Sequence, residues 1–373
     1  MKINIEGKDY KKINKLLNTL DENIGVAQIY SEMLDNYPNL ITEKDLISTM
    51  QIEGCGESEA FLHLIFKREN IDYSDRDMNN LIVDSEMENI KKLNTQTYVN
   101  NPYYKNIKVK EASLGKYKLS YNYFEPYEAF VCEDTKVKKE DNYREVTTLG
   151  YFPERYKYLC LLENKSVWMT ITPYEINTMK ESISSVKGKV VVCGLGLGYY
   201  PYMISLNKDV EKVFIIEYSG EIIKLFNDNI RCLFPKEVSD KIQILRGDAY
   251  KYLDDKNFMS KMNYVFFDLY HTASDALPMY IKAKKFEKKN PNTKFEYWIE
   301  DSILALERRI ILDVFFMEQE GNMQEIIKKP KNKLEEIELK VYEYLKDYAI
   351  NTYEDLYNLL CDAKLKEIAS NLN

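Results

Sequence analysis

Val191-Val192-Cys193-Gly194-Leu195-Gly196-Leu197-Gly198-Tyr199-Tyr200 is the stretch on which the reading of this chain turns. It leads out of an apolar run that begins at Val190 and into a segment with helical spacing. Three glycines at alternate positions belong where a chain turns tightly and a second group approaches the backbone closely. Amides left over at the opening of a helix favour an anionic group there. The spacing then narrows the ligand. A dinucleotide fingerprint, G-x-G-x-x-G counted from Gly194, needs a glycine where Tyr199 stands, and the phosphate-cradling G-x-x-x-x-G-K-[ST] pattern is absent.

Downstream, short β-rich apolar runs recur at 213–216, 242–245, 264–267 and 295–299, with helical or loop segments between them. With the run at 190–193 they predict an α/β fold whose parallel sheet is buried on both faces. Upstream, Thr172-Pro173-Tyr174-Glu175 has the form of a capping box with proline at the first helical position, so a helix is expected from there to about Val186, leaving at Gly188. Before it lies a small β-rich unit. Residues 117–123 alternate with period two, 130–132 follow, and 156–162 and 167–171 form a hairpin around a four-residue loop, Glu163-Asn164-Lys165-Ser166. Residues 138–142 read as an exposed loop. The N-terminal part is helical, with Ile13, Leu16, Leu17 and Leu20 on one face and Phe61, Leu62, Ile65 and Phe66 on another after the Gly54-Cys55-Gly56 break. Leu81, Ile82, Met87 and Ile90 extend the pattern over 78–93. After Asp301 the chain reads as helices at 303–317, 333–348 and 353 to about 368. Four parts are expected: 1–95 helical, 96–172 β-rich, 173–301 the parallel sheet, and 302–373 a helical extension.

Net charge is -8, which argues against a nucleic-acid partner, because phosphate binding needs a concentrated basic surface. Two short basic stretches, Lys282, Lys284, Lys285, Lys288, Lys289 and Lys328, Lys329, Lys331, Lys333, read as solvated helix faces. No apolar run reaches about 18 residues, so no membrane span is expected, and residues 1–6 do not lead into a signal peptide. Six scattered cysteines without a C-x-x-C pair point to reduced thiols and a cytoplasmic location. With only His63 and His271 to help them, no metal is expected, and His63 reads as a packing residue of its helix. The 31 tyrosines are taken as genome composition first and ligand-stacking chemistry second.

Several polar residues stand at carboxyl ends of the predicted strands, where ligands bind in such sheets. Glu217 ends the second strand, where an acid can accept hydrogen bonds from both hydroxyls of an adenosine ribose. Asp248, in Gly247-Asp248-Ala249, follows the third, where an aspartate can meet an adenine amino group. Asp268 ends the fourth and begins Asp268-Leu269-Tyr270-His271. His271 can take a proton from an attacking hydroxyl or amine, or simply pack the loop. Tyr199, Tyr200 and Tyr270 serve as pocket walls or as packing. Glu300 and Asp301 bind a cationic substrate or, on the favoured reading, cap a helix starting near Ser302.

In this order and spacing, residues 186–275 resemble the class I S-adenosylmethionine-dependent methyltransferases. The resemblance implies a Rossmann-like sheet, an S-adenosylmethionine cofactor and a small-molecule methyl acceptor. It implies that Gly194, Gly196 and Gly198 line the methionine part, with Leu195 and Tyr199 of the same loop among the cofactor-binding residues. Glu217 then holds the ribose, Tyr218 lies beside the adenine, Asp248 and Ala249 contact the adenine, and Asp268 lies near the methyl or the methionine amine. Asp268 and His271 are the implied catalytic pair. A family sheet would end in a β-hairpin, but helices follow Glu300, so a truncated or reordered sheet is expected. The small β unit ahead of the glycine loop is similar to that of the polyamine synthases, which makes aminopropyl transfer from decarboxylated S-adenosylmethionine the first alternative. Here Asp268 lacks that family's acid- and serine-rich continuation. The second alternative is a non-catalytic cofactor-binding scaffold or sensor, with the terminal helices contacting a second copy or a protein partner.

Overall fold

The computed structural model describes residues 1–36, 41–323 and 330–372. Lys328 and Lys329 of the second basic stretch lie outside the described residues. The architecture is mixed α/β: N-terminal helices, an antiparallel sheet, a five-stranded parallel sheet and C-terminal helices. Among the described residues, no helix is long and apolar enough to cross a membrane.

Helix α1 (Gly7–Asn36) is followed by α2 (Glu43–Glu53), which starts on a Thr42–Asp45 capping box and stops at Gly54. Helix α3 (Glu57–Arg68) begins just after Gly56. The next helix, Arg76–Asp84, is shorter than the apolar spacing over 78–93 predicts. The chain turns at Glu86, with φ at 53°, and Lys91–Lys92 pairs as a strand with Leu149–Tyr151. Met87 and Ile90 are buried all the same. A turn that buries two side chains can mimic helical spacing.

The antiparallel sheet runs Ser166–Thr170, Tyr156–Glu163, Tyr117–Phe124, Ala112–Leu114. Its hairpin turn has two residues rather than four. Asn164 and Lys165 both take positive φ, at 50° and 74°, the geometry that matches strand twist. No glycine marks this turn in the sequence. The stretch read as β-rich also opens with two one-turn helices, Thr95–Val99 and Pro102–Asn106, capped by the side chains of Asn94 and Asn101. Residues 138–142, expected as an exposed loop, connect the paired strands Lys136–Lys138 and Arg144–Val146 through one 3-10 turn, Lys139–Asp141, none of whose residues is buried.

The parallel strands are β1 (Gly188–Cys193), β2 (Val210–Glu217), β3 (Ile242–Arg246), β4 (Tyr264–Phe267) and β5 (Lys294–Tyr297). They lie in the order 3-2-1-4-5, and every neighbouring pair is parallel. Val190, Val191, Val192 and Cys193 are all buried in succession. Successive strand residues face opposite sides, so both faces of β1 are covered. The order reverses at β1, which has β2 on one side and β4 on the other. Crevices open at the carboxyl ends of strands at such a point.

The helix ahead of β1 is two pieces, Pro173–Thr178 and Lys180–Ser185, and the expected Thr172–Glu175 capping box is present. After β5 the chain enters the helix Glu300–Glu320 directly, so this helix starts two residues before the expected Ser302, with Ile299 as its cap. Lys333–Leu345 follows, and the segment read as one helix over 353–368 breaks at Cys361 into Tyr353–Leu359 and Asp362–Asn371. Lys2–Ile3 pairs with Ala349–Ile350, joining the two ends of the chain. One apolar cluster runs from Ile13 and Leu16 of α1 through both sheets to Leu365 and Ile368. A second gathers Val26, Tyr30 and Met33 of α1 with α2, α3, Tyr127 and Tyr151, so α1 belongs to both.

Candidate functional site

The loop that leaves β1 turns on three left-handed glycines, with φ at 101° (Gly194), 53° (Gly196) and 75° (Gly198). They are not equivalent. A Cβ at Gly194 would sit 2.1 Å from the backbone oxygen of Asp268, and one at Gly198 would sit 2.3 Å from the Phe226 ring. At Gly196 a Cβ would meet open space. Packing therefore demands the outer two glycines, while the middle one faces a void. The loop is braced from outside: the Tyr103 hydroxyl donates to the Leu197 carbonyl at 2.6 Å, and the Asn101 amide donates to the Tyr199 hydroxyl at 3.0 Å. Helix Tyr199–Ser205, which the loop opens, has only seven residues.

The void is a cleft of about 400 Å³. The glycine loop forms one wall. Residues 167–171 of the antiparallel hairpin form another, with Glu175 and Met179 beside them. Glu217 at the end of β2, residues 268–271 after β4, and Trp298 complete it. Three carboxylates, Glu175, Glu217 and Asp268, line this space, and among the described residues no lysine or arginine does.

Each carboxylate is held differently. Glu217 accepts the Ser219 amide at 2.7 Å and the Leu195 amide at 3.3 Å, fastening the end of β2 to the glycine loop. Glu175 accepts the Thr172 amide at 2.8 Å and the hydroxyls of Thr170 and Thr172. Asp268 is held through its backbone, its amide donating to the Cys193 carbonyl at 3.0 Å. Burial pushes its carboxyl up to about 8, and the Glu175 carboxylate adds to the shift. A cation placed in the cleft would restore the charged form.

His271 is exposed at the cleft edge. Its Nε2 lies 2.7 Å from the Trp168 indole nitrogen. An indole N–H can only donate, so Nε2 accepts and the neutral ring carries its proton on Nδ1. The imidazole thus ties the hairpin to the loop after β4, and Nε2 can act as a base only when that bond is broken.

Gly194, Leu195, Gly196, Gly198, Tyr199, Glu217, Asp268 and His271 all line the cleft. Tyr218, Asp248 and Ala249 do not. Tyr218 is 78% exposed, Ala249 is buried, and Asp248 caps the helix Ala249–Asp254 by accepting the Tyr250 amide at 2.9 Å. Tyr200 lines the cleft too and is packed in place, stacked on Phe266 at 3.8 Å and bonded to Ser182. Glu300 accepts the Tyr280 hydroxyl and the Lys366 ammonium, both at 2.8 Å, so it holds a cation of the chain itself. The 282–289 lysines do not form one solvated face, since Lys284 is buried against Glu287.

Sequence reasoning missed Trp168, Trp298 and the bracing Tyr103, and took Glu175 only as a cap. One signal was present: the chain has two tryptophans, and both line the cleft. No family model matches the chain, and no curated protein matches its sequence.

Proposed function

We propose that the cleft binds S-adenosylmethionine and that the chain is a methyltransferase with a small-molecule acceptor, built on a Rossmann-like sheet. The charge of the cleft carries this reading. Glu175 and Glu217, with no lysine or arginine in the lining among the described residues, repel the phosphates of a dinucleotide and attract a ligand bearing sulfonium and ammonium groups, and such a cation would ionise the Asp268 carboxyl as well. When bound, the sulfonium supplies an activated methyl and its leaving group. The residues align, neutralise and exclude water. Glu217, fixed by two amides, is placed to accept ribose hydroxyls. Asp268 faces the cationic end. A ligand reaching from Asp268 past the glycine loop to Glu217 crosses the ends of β4, β1 and β2 in that order. His271 takes the acceptor's proton once the Trp168 bond opens.

Calorimetry tests this. S-adenosylmethionine and its demethylated product should bind and NAD should not. Glu217→Ala should weaken binding about 10- to 100-fold, the worth of a charge-assisted hydrogen bond. No heat with S-adenosylmethionine, or equal binding of NAD, would sink the reading.

One observation favours a second reading. Among the described residues, no lysine or arginine of the lining meets the cofactor's carboxylate. Decarboxylated S-adenosylmethionine has none and carries one more net positive charge, which suits aminopropyl transfer. Competition between the two cofactors separates the readings: tighter binding of the decarboxylated form selects aminopropyl transfer.

A further inference from the structure

The hairpin between α2 and α3 brings together three side chains that the cleft does not use. Glu53 is the last residue of α2, Gly54 reverses the chain at φ 67°, Cys55 sits in the turn, and His63 is a partly exposed residue of α3. A carboxylate oxygen, the Cys55 sulfur and an imidazole nitrogen all lie within 4.8 Å of one another. Glu53 Oε2 is 2.5 Å from His63 Nδ1. Tyr73 orients two of the three: its hydroxyl donates to Glu53 Oε1 at 3.2 Å, and its ring stacks on His63 with centroids 4.2 Å apart.

We propose that Glu53, Cys55 and His63 form a binding site for a thiophilic divalent cation of the zinc class. One sulfur, one nitrogen and one oxygen are the donors that class takes, whereas magnesium and calcium take oxygen alone. Bonds of about 2.0–2.3 Å in a tetrahedron put ligand atoms about 3.3–3.8 Å apart, so the cluster reaches that geometry by shifts of about an ångström. Tyr73 acts as outer-shell partners of metal ligands do, fixing ring and carboxylate from behind. The His63 and Glu53 side chains are 16% and 30% exposed, so an ion can enter from solvent and keep a fourth position for water. The pattern is E-x-C-x7-H, which a search for paired cysteines passes over; the expectation of no metal rested on that search. This site is independent of the cleft and of any cofactor there.

Cobalt(II), titrated into the metal-free full-length chain, tests the site. One equivalent should produce tetrahedral d–d absorption and a thiolate-to-cobalt charge-transfer band, and zinc should displace both. Cys55→Ser should abolish the charge-transfer band. His63→Gln should weaken binding at least about tenfold with its circular dichroism unchanged, and Glu217→Ala in the cleft should leave the titration as it was. No charge-transfer band in the wild type overturns the proposal, because no thiolate then binds the metal, and so does a band of full strength in Cys55→Ser, because one of the other cysteines is then the ligand. Full-strength binding by His63→Gln overturns it equally.

Discussion

Asp268 and Glu307 are two carboxyls in nearly the same electrical condition and in opposite circumstances. Burial pushes each up to about 8. Asp268 lines a cleft that a ligand can enter. Glu307 lies fully buried in the helix Glu300–Glu320, and among the described residues neither of its oxygens has a hydrogen-bond partner. Its nearest cationic influences are Arg308 and Lys284, which offset only part of the burial. The difference teaches that a raised carboxyl marks a site only where space and access come with it. Without them it is a stability liability.

The comparison breaks first if Asp268 is not held where the geometry puts it. Gly194→Ala drives a Cβ against the Asp268 carbonyl at a left-handed backbone position. It should cost about 4 kcal/mol or more, among the largest single-residue effects. Urea unfolding measures this, and an unchanged midpoint would mean that the two loops do not touch.

The next effect sharpens the Glu307 side. Its folded form keeps the proton to higher pH than its unfolded form does. Stability should therefore be full below the ordinary value of 4.5 and be lost as pH rises toward about 8. Glu307→Gln removes that loss. The variant should match the wild type near pH 5 and exceed it at pH 8 by an amount on the order of 3 kcal/mol. Parallel stability curves across that range would show that the carboxyl is solvated.

The smallest effect belongs to Asp268 itself. Asn copies a neutral carboxyl, so Asp268→Asn should change stability at neutral pH by less than about 1 kcal/mol. It cannot ionise, so S-adenosylmethionine should bind about tenfold more weakly at pH 8, read by calorimetry. An undiminished affinity would make Asp268 a second Glu307.

How far the chain was legible depends on the range of the interaction. The five parallel strands were visible as apolar runs to within a few residues, because burial on both faces leaves an unbroken local signal. Their order was not, since the pairing of β1 with β4 joins residues more than seventy positions apart. The Thr172–Glu175 cap was legible for the same local reason. The Asn164–Lys165 turn was not, because lysine rarely supplies the positive φ that a two-residue hairpin needs. Within the cleft, the glycine loop, Glu217 and Asp268 could be picked out by their place after strands. Trp168 could not, because it reaches His271 across 103 positions of sequence. The Glu53-Cys55-His63 cluster was hidden by a helix reversal, which no periodicity records.

Because both tryptophans stand in the cleft wall, the protein carries its own optical gauge. Every photon of indole emission originates there, with no distant tryptophan to dilute the signal. A molecule that fills the cleft must change the polarity around Trp168 or Trp298, and so the brightness or colour of the whole chain's emission. Trp168 also donates its indole hydrogen to His271, so its emission depends on whether that bond is made. One spectrum therefore tracks both the occupancy of the cleft and the state of the bond at its edge.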